Sequence, residues 1–205
     1  MALEPGDHVW YWDGRISQTK DIPRLQWFPE STGPIDYLGN GEQISNFVIY
    51  EDEIVRGQPH MNNHPGTYAW LNNNPGNITG QPGGPDYGQY PGKFNWHNFL
   101  IFPTWDLGFA AIAQLLRSPR YVNLSLTDAF SRYAPATDGR NDPVGYAQKV
   151  ADSLGLPTST TIAELDDDQM VVAQNAISDM EGAVAGDTFA YDAPELPQEL
   201  TALLP

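Results

Sequence analysis

The sequence predicts a mainly α fold of the α+β class, with a loop-rich, aromatic N-terminal region ahead of a helical one. Two observations carry this. From Thr104 onward, apolar residues recur at helical spacing between recognisable start and stop signals. Before about residue 103 lie most of the Gly and Pro and all four His, broken only by short aromatic or β-branched runs. Aromatics make up 12% of the 205 residues, six of them Trp, which is enough to build a core rather than a disordered acidic chain.

The short runs are His8 to Trp12, Leu25 to Phe28, Phe47 to Tyr50 and Phe94 to Phe102, bounded by turn pairs such as Asp13-Gly14 and Asn40-Gly41. Between Gln58 and Gly92 there is too much Pro, Gly and Asn for regular elements. A long segment of that kind is usually functional or disordered, and its aromatics (Tyr68, Trp70, Tyr87, Tyr90) favour an ordered loop that lines something.

Thr104 can cap a helix running to about Leu116, with Leu107, Ala110, Ala111, Ala113 and Leu115 spaced for burial and Pro119 beyond its end. Ser125 caps a short helix through Tyr133, before Pro135. Asp142 caps the next, with Pro143 at its first position, Val144, Ala147, Val150 and Leu154 along one side, and Gly155 as its stop. A last helix starts in the Asp166 to Asp168 cluster, where acidic side chains meet the positive end of the helix dipole. Its expected buried face is Ala173, Ala176, Ile177 and Met180, and Gly182 ends it. After Gly186 the chain reads as an irregular acidic tail.

Composition excludes several functions. Ten basic residues against 26 acidic ones give a net charge of −16, which argues against nucleic-acid or anionic-membrane partners. There is no Cys, so no disulfide, thiolate metal site or thiol nucleophile. No run approaches the 18 or so apolar residues of a membrane span. Residues 1–14 hold charges and Pro5 where a Sec signal needs an apolar stretch, so a non-Sec route is expected.

His8, His60, His64 and His97 raise a zinc reading. However, Pro59, Pro65 and Gly66 surround the pair spaced by four, and the HExxH pattern is missing. No metal or other cofactor is expected. Phosphate-binding glycine loops and a Gly-x-Ser-x-Gly elbow are also missing. Carboxylates remain. Glu51, Asp52 and Glu53 follow the apolar run Phe47 to Tyr50 and precede the Asn-rich segment. A carboxyl beside apolar walls can keep a proton at neutral pH, and a cleft of rings and amides suits a sugar chain. The same triplet also reads as a solvated acidic turn.

The segment Asn72-Asn73-Asn74-Pro75-Gly76-Asn77-Ile78 resembles the NNPGNI signature of lysozyme-like peptidoglycan hydrolases in phage tails and bacterial secretion effectors. Phe102-Pro103-Thr104 with Gly108 to Ile112 resembles the helix that follows that motif. Tyr121 to Leu126, Tyr133-Ala134-Pro135, Asn141-Asp142-Pro143 with Tyr146, and Ile177 to Gly182 resemble the stretches after it, in order. The resemblance covers residues 47–182 and is narrowest to the C-terminal lysozyme domain of type VI secretion effectors. The first 45 residues match nothing in that family.

The resemblance implies a lysozyme-like domain over 46–186, an N-terminal extension over 1–45 and an acidic tail over 187–205. It implies a muramidase that cuts the β-1,4 bond of cell-wall glycan, acting as a toxin in the periplasm or wall of a target bacterium. An acid upstream of the Asn motif would be Glu53, with Glu51 as second carboxylate or substitute. Glu181, which also matches the family, is the rival. Asn73, Asn74 and Asn77 would order the loop and bond sugar substituents, or serve only as turn residues that tolerate left-handed backbone. Tyr68, Trp70, Tyr87, Trp96 and His97 are expected cleft walls, or core. The implied partners are peptidoglycan strands and a cognate immunity protein, with the chain a monomer. Two alternatives remain: a non-catalytic glycan-binding or particle module, and a zinc amidase using His60, His64 or His97.

Overall fold

A computed structural model describes residues 8–12, 15–17, 25–28, 46–49, 67–92, 98–137, 141–183, 188–190 and 194, the five strands among them by backbone pairing. The described part is mainly helical. The chain divides into two compact units, residues 1–108 with 183–205, and residues 109–182.

In the first unit, strands β1 (His8–Trp12), β2 (Arg15–Ser17), β3 (Leu25–Phe28), β4 (Asn46–Ile49) and β5 (Thr188–Ala190) form an antiparallel sheet of order β2-β1-β3-β4-β5. Trp12 pairs with Arg15, which leaves the two residues Asp13 and Gly14 to connect the hairpin, as that dipeptide suits. Two of the expected aromatic runs coincide with β1 and β3, and a third overlaps β4. The expected irregular tail supplies β5, paired with β4 from Asn46↔Ala190 to Val48↔Thr188. The sheet therefore takes strands from all three of the segments 1–45, 46–186 and 187–205.

The same unit holds α1 (Tyr68–Leu71), the Asn-rich loop and the start of α2 (Trp105–Leu116). The loop has its own small core of Ala69, Ile78, Leu100, Ile101 and Phe102, each at most 3% exposed. An antiparallel bridge between Thr79 and Phe99 aligns the two edges of the loop.

In the second unit, α3 (Leu126–Tyr133) packs on α4 (Pro143–Leu154), and α4 on α5 (Asp167–Glu181). The caps are those the sequence announces. Ser125 accepts from Asp128 N at 3.1 Å and Asp142 accepts from Gly145 N at 3.0 Å. Asp166 and Gln169 close a reciprocal capping box, and Gly155 and Gly182 end their helices at φ 66° and 69°. A 3-10 turn, Ile162–Glu164, precedes α5; the segment ahead of it ties back to α3 through Leu126 N to Thr160 O and Ile162 N to Leu124 O, both 2.9 Å.

The face expected on α2 is rotated, that on α4 keeps Ala147 and Val150 but not Val144, and that on α5 holds at Ala173, Ala176 and Ile177 with additions. On α2 the buried stripe is Gly108, Ala111, Ile112 and Leu116, while Leu107 and Ala110 are exposed. On α4 Tyr146, Ala147, Val150 and Ala151 are buried and Val144 is 69% exposed. On α5 the stripe begins at Met170 and includes Gln174, whose amide donates to Phe109 O. The residues that packing adds to these faces are Gly108, Ile112 and Leu116 on α2, Tyr146 and Ala151 on α4, and Met170 and Gln174 on α5.

Candidate functional site

Two clusters gather the residues that could act on a ligand, one in each unit. The first is the Asn-rich loop. Asn74 is fully buried: its Nδ2 donates to Ile78 O and Leu100 O and its Oδ1 accepts from Ile78 N, all at 2.9 Å. Both amide hydrogens are spent on backbone, so this side chain closes the loop and has no surface left for a sugar. That corrects the expectation of a ligand contact at Asn74.

Asn73 sits at φ 50° and Asn77 at φ 43°, the left-handed region that Asn tolerates better than most residues. Asn73 also donates to Phe102 O at 3.1 Å. The loop-ordering role expected of the three Asn is thus visible for all of them, by side-chain bonding at 73 and 74 and by backbone at 73 and 77.

Helix α2 meets this loop at Gly108. A Cβ there would overlap the carbonyl oxygen of Asn73 and stand 2.9 Å from its carbonyl carbon and 3.0 Å from Pro75 Cδ. Only a residue without a side chain lets the loop backbone lie on the helix at that point.

Asn72 was not singled out from the sequence. Its side chain is fully buried, and neither Oδ1 nor Nδ2 has a hydrogen-bond partner among the described residues. Such a group costs roughly 1–3 kcal/mol. Only its place as first of three Asn could have flagged it. Tyr68 lies with its ring 6.0 Å from that of Phe99, and Trp70 and Tyr87 are partly exposed. Trp96 and His97 lie outside the described residues, as do Glu51 and Glu53.

An expected consequence concerns the loop. Asn74→Ala removes three buried hydrogen bonds and strands Ile78 N and Leu100 O, a loss of about 2–4 kcal/mol at roughly 1 kcal/mol per bond plus the orphaned groups. Chemical denaturation measures it; a change under 0.5 kcal/mol would mean the bonds are not holding the loop.

The second cluster is at the end of α5. Glu181 stands four residues beyond Ile177 and so continues the buried stripe of Met170, Ala173 and Ile177 onto a charged residue. Gly182 then turns the chain away in left-handed conformation. Glu181 is only partly exposed, and its Oε1 accepts from the Tyr146 hydroxyl at 2.9 Å.

Tyr146 in turn stacks on Phe130, with ring centroids 4.7 Å apart and planes at 16°. Tyr133 lies 5.9 Å from Tyr146 and 6.0 Å from Phe130, edge-on to the latter. The phenol that holds the carboxylate therefore belongs to a cluster of three rings drawn from α3 and α4. Burial first, and then the neighbouring charges of Glu181 and other phenols, push the Tyr133 and Tyr146 hydroxyls well above the ordinary phenol range. Part of the Tyr133 residue reaches solvent, but its hydroxyl is desolvated. Tyr146 thus stays a proton donor to Glu181 at any physiological pH.

The three raised phenols set an alkaline limit. Burial also pushes Tyr90 up to about 12. Below pH 10 both folded and unfolded chains keep these protons. Above it the unfolded chain releases protons that the folded one holds, so stability falls as pH rises from 10 toward each folded value. The slope is about 1.4 kcal/mol per pH unit for each of Tyr133 and Tyr146. In an absorbance titration at 295 nm these tyrosinates should appear only as helical circular dichroism is lost. Titration of all ten tyrosines with the helix signal intact would contradict their burial.

Among the described residues no cluster of three His, Asp or Glu could hold a metal, and no helix is long and apolar enough to cross a membrane. The side chains of the four His lie outside the described residues. No protein-family model matches the chain, and no curated protein matches it significantly.

Proposed function

We propose that this protein is a peptidoglycan muramidase that cleaves the β-1,4 glycosidic bond of cell-wall glycan by general acid catalysis, in a lysozyme-like fold. The observation that carries the reading is Glu181: a carboxyl at the end of a buried helix stripe, held by a phenol that belongs to a cluster of three rings. A glycosidase needs a carboxyl in a partly apolar wall beside a polar groove, and usually two of them. Glu181 supplies one. Glu53, with Glu51 as second carboxylate or substitute, is the rival acid, in the segment just upstream of the Asn loop.

The ordered series of motifs from Asn72 to Gly182 supports a peptidoglycan substrate, and Tyr68, Trp70 and Tyr87 are its ring-stacking candidates. The resemblance to type VI secretion effectors supports an antibacterial toxin. It would be delivered by a non-Sec route to the periplasm or wall of a target cell and countered by an immunity protein. The chain would work as a monomer, without a cofactor and without nucleic-acid or membrane partners.

Turbidity loss of purified sacculi in the presence of EDTA tests this. Lysis should proceed at the same rate with and without chelator, because the chemistry is carried by carboxylates. Lysis abolished by EDTA and restored by zinc would instead favour an amidase built on His60, His64 or His97.

A further inference from the structure

The bond between Tyr146 and Glu181 bears on which half of an acid–base pair Glu181 can be. The Tyr146 hydroxyl donates to Glu181 Oε1 at 2.9 Å, across the packed helices α4 and α5. Its ring lies almost flat on that of Phe130, 4.7 Å between centroids, with the Tyr133 ring 5.9 Å away. Packing on two sides therefore fixes the phenol oxygen against the carboxylate. Burial keeps its proton in place far above physiological pH, so the phenol stays a donor.

A donor fixed on a carboxylate oxygen favours the ionised form, because the anion accepts that bond more strongly than the neutral acid does. Glu181 is itself part exposed, so burial opposes its charge less than it opposes that of the phenol. The titratable groups that bear on it from the neighbouring helices are Tyr146 on α4 and Tyr133 on α3, both neutral at physiological pH. Every other charged side chain of α3, α4 and α5 is exposed, where water screens it.

These surroundings suit a carboxyl that must give up its proton, not one that must keep it. Where two carboxyls share a glycosidase site, the acid lies among apolar walls, and its partner, in a polar hydrogen-bonded place, stays ionised.

We propose that Tyr146 is a positioning residue that holds Glu181 ionised, so that Glu181 is the base of the site and a second carboxyl, Glu53 or Glu51, is the acid. The assignment rests on the muramidase reading. The bond from the anomeric carbon to the leaving oxygen breaks with its electron pair going to that oxygen, which takes the proton of the upstream carboxyl. Glu181 takes a proton from the water whose oxygen bonds to the anomeric carbon, and solvent then restores both carboxyls.

The test is the pH dependence of kcat/KM on soluble glycan strands for wild type and Tyr146→Phe, which keeps the ring and removes only the hydroxyl. A base works above its pKa and an acid below it. Loss of the phenol raises the pKa of Glu181, so the acidic limb should move up by about one to two pH units, the worth of a hydrogen bond to a charged group. The alkaline limb should stay where it is. A merely structural role would lower the whole profile without moving either limb.

An acidic limb that does not move overturns the proposal, as does an alkaline limb that moves up instead, which would make Glu181 the acid. Proton NMR of the digest should show the inverted, α-anomeric reducing end first; a β-anomer would make Glu181 a nucleophile and overturn the base role. Lysis by neither protein would refute the muramidase reading alone. Carbon-13 titration of the Glu181 carboxyl then decides the pair: a lower pKa in wild type than in Tyr146→Phe upholds it, and equal values overturn it. Should Tyr146→Phe melt far below wild type, the wild-type titration still decides. Glu181 titrating above the ordinary value of about 4.3 overturns the assignment, and titrating below it upholds it.

Discussion

Gly108→Ala should unfold the Asn-rich loop from α2 and cost more than about 3 kcal/mol, among the larger losses a single methyl can produce. The added carbon would overlap Asn73 O and crowd Pro75 Cδ. Neither neighbour is the free end of a flexible side chain. Asn73 is fixed by its bond to Phe102 O and by the 2.8 Å bond from Asn74 N to Ala69 O beside it. Gly108 N itself bonds Thr104 O at 3.2 Å, so the helix cannot easily yield either.

Helix propensity points the other way, favouring Ala by roughly 0.5–1 kcal/mol. The clash is expected to outweigh it. Thermal melting decides: an Ala variant melting at or above wild type would show that the loop does not lie on the helix as described.

Glu181→Gln should reduce release of sacculus fragments by roughly 10²–10⁴-fold, the usual worth of a general acid or base. The substitution keeps the fold, because the Gln carbonyl still accepts from Tyr146 and the ring cluster is untouched. Melting close to wild type together with loss of lysis separates chemistry from stability. Glu53→Gln and Glu51→Gln belong in the same series. If both upstream variants are dead while Glu181→Gln lyses normally, the working acid lies ahead of the Asn motif and α5 has only a structural role there.

Much of the helical unit was legible in the sequence because its punctuation is local. Ser125, Asp142, Asp166, Gly155 and Gly182 act within three or four residues of themselves, so caps and stops can be read one helix at a time. The buried faces were less legible, since they depend on what arrives from elsewhere in the chain. Gly108 is buried because Asn73 lies on it, and Val144 is exposed although its spacing fits a core.

Strand β5 was missed for the same reason. Thr188–Ala190 is only a three-residue run, and its pairing with β4 is what makes it a strand. In the candidate site, the left-handed Asn73 and Asn77 follow from residue type. The unpartnered amide of Asn72 does not, because nothing local distinguishes it from its two neighbours. Glu181 had a spacing signal, four residues past Ile177 on a buried stripe. The ring cluster that holds its phenol could not be inferred before α3 and α4 were known to pack together.

Mass spectrometry of borohydride-reduced products from purified sacculi tests the muramidase reading most directly. Wild type should release disaccharide-peptides ending in reduced muramic acid, and well-folded Glu181→Gln should release almost none. Products ending in reduced glucosamine, free stem peptides, or no products at all from the wild-type protein would contradict it.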